Sequence, residues 1–191
     1  MNDHSTSIPI QIKNHDNPYI KNTPVSAPDT LYAIGKSLDR AVKSAGNMFT
    51  QFNPIARHIR DFGLEQCFRR DFGVIPGEKL MKGHPCCLSS TGGPIQGTLY
   101  VSNKRVGFIS EDPMLASLGC GPVQWVYYKV VIRVDCIQTV KSMDNRQGRG
   151  MDEKYIEIIT RDGYEFWFMG FKDSYDLAFE NLFNAIRLCN N

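Results

Sequence analysis

A chain of 191 residues with 42% hydrophobic and 22% charged side chains has the size and balance of one globular domain plus an extension. Its formal net charge of +2 excludes the global positive field of a non-specific nucleic-acid binder, so an anion site must be a local patch and no direct nucleic-acid contact is expected. No run reaches the ~18 apolar residues of a transmembrane segment, and the six cysteines show neither C-x-x-C spacing nor paired histidines. Reduced thiols in a cytoplasmic or nuclear protein are expected, rather than disulfides or zinc.

Along the chain, residues 1–28 carry Pro9, Pro18, Pro24 and Pro28 among polar neighbours and are predicted to be a disordered tail. Within it, Asn17-Pro18-Tyr19 reads either as a short recognition motif or as part of a solvated tail. Residues 29–67 form a helical extension. Asp29 is placed to N-cap a helix from Thr30 to about Phe52, and Pro54 separates it from a second helix from Ile55 to about Phe68. Leu31, Ile34 and Leu38 recur on one face of the first helix with Val42, Ala45 and Phe49. That face is a candidate for contact with a partner or a membrane surface; a helix packed on its own domain or self-associating fits the same pattern.

From residue 68 to 191 the period changes. Ile95, Gly97, Leu99 and Val101 alternate with polar neighbours, as in a half-buried strand, and Asn103-Lys104 turns into Arg105–Ser110. Gln124–Ile132 reads as one further strand and Cys136–Lys141 as another. Arg161-Asp162-Gly163 between Tyr155–Thr160 and Tyr164–Phe168 reads as a hairpin turn. With Lys79–Leu88 this makes about seven strands. A last helix, N-capped by Asp173, carries Tyr175, Ala178, Phe179, Leu182, Phe183 and Ile186 as its apolar stripe. The fold class predicted is α+β: a β-barrel or sandwich capped by a C-terminal helix and preceded by N-terminal helices.

No motif carries catalysis, a cofactor or a metal. Gly119-Cys120-Gly121-Pro122 lacks the lysine and the helix of a phosphate loop, and His84 beside Cys86 and Cys87 fits no zinc pattern. The chain is expected not to be an enzyme. The basic residues suggest docking instead. Lys141, Arg146, Arg149 and Lys154 bracket the loop Asn145–Gly150, whose glycines can turn backbone N–H groups toward an anion. Lys104 and Arg105 sit on another turn, and Lys79 and Lys82 on the first strand. Converging at one mouth, they would bind an anionic phospholipid; left apart, they are solvated surface that keeps sheet edges soluble. Met114, Leu115 and Leu118 in Pro113–Gly119 are either a membrane- or partner-contacting tip or plain core.

Several motifs in order resemble a known family. Gly77-Glu78-Lys79-Leu80 with Lys82, then Cys86, Leu88-Ser89, Gly93-Pro94-Ile95 and Gly97 follow its pattern. So do Trp125, Tyr127–Ile132, Lys154-Tyr155-Ile156 and Glu165–Phe171. The segment of about 68–188 resembles a GRAM domain of the plant GEM-like, ABA-responsive subgroup. Arg133 departs from it by standing where the subgroup usually has proline. The resemblance implies a pleckstrin-homology-like fold and a non-enzymatic adaptor that binds anionic lipid (phosphoinositide), protein partners, or both, in hormone- or stress-responsive regulation. The alternative it implies is a purely protein-binding regulator in the nucleus or cytosol. Cytoplasmic, peripheral-membrane and nuclear placements all fit. No ligand-contact set comes with the resemblance, because Gly92, Gly93 and Gly97 suit turns or bulges, and Trp167 with its phenylalanine neighbours suits core packing.

Overall fold

Alternation of apolar and polar residues along successive strands builds one large antiparallel sheet whose inner face is the core. The computed structural model describes residues 17–25, 63–117, 123–145, 153–171 and 174–189. In chain order its elements are β1 (Thr23–Pro24), α1 (Leu64–Phe72), β2 (Leu80–Ser90), β3 (Gly93–Ser102), β4 (Arg105–Ser110), β5 (Met114–Ser117), β6 (Val123–Tyr127), β7 (Lys129–Arg133), β8 (Ile137–Asn145), β9 (Glu153–Thr160), β10 (Glu165–Met169) and α2 (Tyr175–Cys189). A 3₁₀ turn, Val134–Cys136, joins β7 to β8.

Seven strands pair in the order β7-β4-β3-β2-β10-β9-β8, and a smaller sheet holds β1-β6-β5. The seven-stranded sheet stays open, with β7 and β8 at its two ends, so the fold is a sandwich and not a closed barrel. The α+β expectation of about seven strands and a C-terminal helix is met. The stretch expected as a single strand, Gln124–Ile132, is two: Tyr128 interrupts it, its N–H donates to Ser110 Oγ at 3.0 Å, and β6 and β7 join different sheets.

The core gathers side chains from both halves of the sheet: Leu88, Leu99, Val101 and Phe108 meet Ile132, Ile156, Ile158 and Phe168. Phe108 and Phe168 bring their rings to 5.7 Å between centroids. Trp167 lies on the opposite face of β10 from Phe166 and Phe168, as a period of two requires, and is not part of this core. On α2 the buried stripe is Tyr175, Ala178, Leu182 and Ala185. Phe183, expected on that stripe, is 55% exposed: at 100° per residue it swings past the edge of a stripe centred on Leu182. Tyr175 fixes the start of the helix, its hydroxyl lying 2.8 Å from Ser142 Oγ and 3.0 Å from the carbonyl oxygen of Tyr155.

Residues 17–25 depart from the expected solvated tail. They run antiparallel along β7 and β6 in a single register, with Ile20 opposite Val130, Thr23 opposite Tyr127 and Pro24 opposite Val126. Backbone bonds join Val131 N–H to Tyr19 O at 2.8 Å, Lys21 N–H to Lys129 O at 2.8 Å and Val25 N–H to Trp125 O at 3.0 Å. The odd-numbered residues therefore turn their N–H groups into the sheet. Pro24 stands where its missing N–H would point away, which is how an edge segment tolerates proline. The helix predicted over Thr30–Phe52 lies outside the described residues. Of the second helix expected, Ile55 to about Phe68, residues 55–62 also lie outside the described residues, and the described helix α1 runs on to Phe72.

Candidate docking surfaces

Charged and apolar side chains gather in four regions of the surface and its edges. The first surrounds Arg105. Its side chain is 7% exposed and forms an ion pair with the 5%-exposed side chain of Glu78, Nη2 to Oε2 at 2.8 Å and Nε to Oε1 at 2.9 Å. Its remaining donors cap the end of α1, Nη1 to Phe72 O at 2.7 Å and Nη2 to Gly73 O at 2.8 Å. Its Cζ lies 5.1 Å from the Phe68 ring centroid and 5.9 Å from that of Phe72. The Ser102 hydroxyl, 2.7 Å from Glu78 Oε1, accepts the Arg105 backbone N–H at 3.0 Å. Arg105 was a candidate anion ligand on the basis of charge alone. The structure instead commits its fork to Glu78 and to the C-terminal carbonyls of α1, the end of a helix where a cation is favoured. Lys129 serves the same end, donating from Nζ to Asp71 O beside the Phe72 ring.

The second region is the β3–β4 turn. Asn103 Oδ1 accepts the Lys79 N–H at 2.7 Å, and Lys104 Nζ reaches Pro76 O at 2.6 Å. Lys79 and Lys104 are thus neighbours at this turn and both exposed. Lys82 stands apart on β2, after the bulge between Leu80 and Lys82, also exposed. Lys79 precedes β2, so it is not on the first strand as expected.

The third region is the β8–β9 hairpin. Lys141 is paired across to the buried Glu157 at 3.2 Å, and Lys154 lies 3.9 Å from Asp176 and 5.1 Å from the centroid of the Tyr175 ring. Both lysines remain about half exposed. Arg146 and Arg149, in the loop between these strands, lie outside the described residues. Among the described residues, Lys79, Lys104 and Arg105 therefore gather near the β3–β4 turn, Lys82 stands apart on β2, and Lys141 and Lys154 share the hairpin but on opposite faces of it, because Lys154 pairs with Asp144, three residues from Lys141.

The fourth region, β5, pairs Met114 with Val126 and Leu115 with Trp125. Met114 packs against the main core and Leu115 is half-buried, so these two form a strand and not a free tip. Leu118 lies outside the described residues, as do Leu31, Ile34 and Leu38.

His84 and its cysteine neighbours make no catalytic pair. The imidazole is 1% exposed, Asn181 Nδ2 donates to Nε2 at 3.2 Å, and Nδ1 has no partner among the described residues. Burial, with the nearby Lys82 charge, lowers its pKa to about 4, and burial pushes the Cys86 thiol well up. The imidazole is enclosed and the Cys86 thiol is held protonated, so the pair presents no accessible base beside a thiolate. Among the described residues no cluster of His, Cys, Asp or Glu could hold a metal ion, and no helix is long and apolar enough to cross a membrane.

The His84 environment has a consequence for stability. The imidazole binds its proton more readily in the unfolded chain, where the pKa is about 6.5, than in the fold. The stability it contributes is thus complete above pH 6.5 and lost as pH falls toward 4, by about 3 kcal/mol in all. Urea unfolding of wild type against His84→Gln at pH 7.0, 5.5 and 4.5 should show the gap between them narrowing as pH falls. An NMR titration placing His84 near 6.5 would refute this account.

Sequence reasoning missed the contact made by Asn17–Val25. Tyr19 packs edge-on against Tyr164 and Phe166, with centroids 5.7 and 6.0 Å away, and its hydroxyl donates to Asp162 Oδ1 at 2.8 Å. Asn17 Oδ1 accepts the Tyr19 N–H at 3.0 Å, and Asn17 O accepts the Ile20 N–H at 3.2 Å, the turn that Asn-Pro favours. The available signal was an aromatic and an aliphatic residue side by side after an Asn-Pro turn in an otherwise polar stretch.

Comparison with known proteins places this geometry in a family. A model of the GRAM domain matches residues 66–186. GEM-like protein 5 of Arabidopsis thaliana is 33% identical over 190 residues, covering 88% of this chain and 69% of its own length. GEM-like protein 4 of the same plant is 42% identical over 133 residues, covering 70% of this chain and 59% of its own length. A solved C-terminal domain of an unknown protein from Leishmania infantum covers 64% of this chain and 97% of its own, with 20% identity and a TM-score of 0.49. The chain belongs to the GRAM-domain family, in its plant GEM-like group.

Proposed function

We propose that this protein is a non-enzymatic adaptor that docks onto anionic phospholipid through its β8–β9 hairpin and onto protein partners elsewhere, within hormone- or stress-responsive regulation in plants. The observation that carries the lipid reading is the hairpin itself. Lys141 and Lys154, both half exposed, stand on the strands that lead into the loop bearing Arg146 and Arg149. Each basic side chain near an anionic bilayer contributes about 1 kcal/mol, so the two arginines of the loop, with one lysine on each face of the hairpin below them, would give reversible, salt-sensitive attachment.

A second reading, a purely protein-binding regulator of the nucleus or cytosol, is favoured by a different observation. Arg105 is enclosed, Lys104 is bonded to a backbone carbonyl, and Lys141 and Lys154 each face a carboxylate. Co-sedimentation of the full chain with phosphatidylserine- or phosphoinositide-containing vesicles separates the two. Retention at low salt that falls about tenfold or more in Arg146→Glu/Arg149→Glu supports the lipid reading. No retention, or retention indifferent to those charges, supports the protein-only reading.

A further inference from the structure

We infer that the β6–β7 edge, together with the aromatic socket beside it, is a docking groove for an extended protein segment bearing an Asn-Pro-Tyr-aliphatic sequence, and that residues 17–25 are a built-in occupant that keeps it closed. The inference deepens the protein-docking side of the proposed function and is independent of the lipid reading, since none of its residues belongs to the β8–β9 hairpin.

The groove has the two parts that recognition of an extended peptide needs. One is a strand edge: β7 ends the seven-stranded sheet, β6 continues its line, and backbone groups of Trp125, Lys129 and Val131 bond to the incoming segment. Such bonds bind any extended chain. The other is a socket that selects a side chain. Tyr164 and Phe166 receive the ring of Tyr19, and Asp162, in the β9–β10 turn, accepts its hydroxyl. Burial and the Asp162 bond push the phenol up to about 12, so it is held as a donor facing a carboxylate. Phenylalanine in its place would lose that bond, and an acidic residue would meet the Asp162 charge.

Three observations make the occupant exchangeable. It lies outside residues 66–186, the part matched by the domain model, whereas the whole groove lies inside, so the matched unit presents this edge and the covering segment is added to it. Its side-chain packing on the core is confined to Tyr19 and Ile20, the rest of its hold being backbone bonds, while Lys21, Thr23 and Pro24 are exposed. It joins the rest of the protein only through residues 26–62, so releasing it leaves the pairings among β2–β10 unchanged. A partner segment of the same chemistry would compete with it for the same bonds, and the occupant would set the threshold for capture.

The test uses the full-length chain and a fluorescent peptide of residues 17–25, Asn-Pro-Tyr-Ile-Lys-Asn-Thr-Pro-Val. Tyr19→Ala should bind the peptide about tenfold or more tighter than wild type, because its own segment no longer competes. The same peptide with alanine for tyrosine should bind at least about tenfold more weakly, and adding Asp162→Ala to Tyr19→Ala should weaken capture again. Hydrogen exchange serves as the second readout. The Val131 amide should exchange faster in Tyr19→Ala and be protected again by peptide, while the Phe108 and Val101 amides stay slow. Failure of the peptide to bind a Tyr19→Ala chain with those core amides protected would overturn the proposal. So would loss of Phe108 protection together with Val131, which would make the segment an integral strand. A concentration-dependent dimer that peptide does not dissolve would also overturn it, by giving the groove to a second copy. Liposome retention, whatever its outcome, bears on none of these results.

Discussion

Replacing Arg105 with alanine should lower the free energy of unfolding by about 3–5 kcal/mol, the largest effect expected of any polar side chain here. The reason is what the substitution leaves behind. Glu78 would keep its carboxylate, on a side chain 5% exposed, with only Ser102 beside it, and the carbonyls of Phe72 and Gly73 would lose the donors that close α1. The guanidinium also fills the space against the rings of Phe68 and Phe72, so packing is lost with the charge. Lysine would not substitute, because a single ammonium cannot reproduce a fork that meets one carboxylate and two carbonyls at once. Removing both charges should cost less than the sum of the single changes. Glu78→Ala combined with Arg105→Ala leaves no unpaired buried ion, so a double-mutant cycle by urea unfolding should report a coupling of about 2 kcal/mol or more. The damage should concentrate at α1, seen as faster amide exchange at Cys67, whose N–H is bonded to Gly63 O. Arg105→Ala within about 1 kcal/mol of wild type would refute the clamp.

The case of Arg105 shows where the sequence was legible and where it was not. Strand periodicity was readable because it is local: alternation over Ile95–Ser102 set the core face of β3, and Arg161-Asp162-Gly163 made its turn with Gly163 at φ 86°, but the half-buried strand expected there is buried on both faces from Gly97 to Ser102, with Tyr100 lying against the Phe68 and Phe72 rings of α1. Charge was readable only as charge. Whether an arginine faces solvent depends on what the rest of the chain brings to it, and Glu78 lies 27 residues away in sequence. The same limit hid the break at Tyr128, since the residues on either side are equally β-forming and only the Ser110 contact separates two sheets. It also hid the docked segment at residues 17–25. Prolines argue against a strand when the partner edge is unknown. With β6 and β7 in place, Pro24 falls on the side that needs no N–H. Of the candidate basic residues, Lys141 and Lys154 do stand on one hairpin, because a hairpin too is local, but spacing along the chain did not reveal that they leave it on opposite faces.

Gly97→Ala should destabilise the domain by about 3 kcal/mol, more than a single methyl group usually costs. Gly97 is an ordinary strand residue in its backbone angles, so the cost is steric and not conformational. A Cβ built there would sit 2.2 Å from the carbonyl oxygen of Ile109 and 2.5 Å from Cζ of Phe108. Both belong to β4, which pairs with β3 at this point, Gly97 opposite Ser110 and Thr98 opposite Ile109. Relief requires either moving that strand's backbone or expelling Phe108 from its contact with Phe168 at the centre of the core. Neither is a soft motion in an interior packed near crystal density. Gly83→Ala is the control. A Cβ at Gly83 would meet Leu64 Cδ1 at 2.8 Å, the free end of a flexible side chain that can rotate away, and Tyr100 Cε1 at 3.3 Å, which needs to give only a few tenths of an ångström, so the cost should stay near about 1 kcal/mol. Urea unfolding of the two variants should therefore differ by about 2 kcal/mol with unchanged slopes. Equal losses would mean that β3 and β4 are less closely apposed in solution than this register requires. A much smaller loss at Gly97 would mean that Phe108 can leave the core without penalty, which its full burial between the two halves of the sandwich argues against.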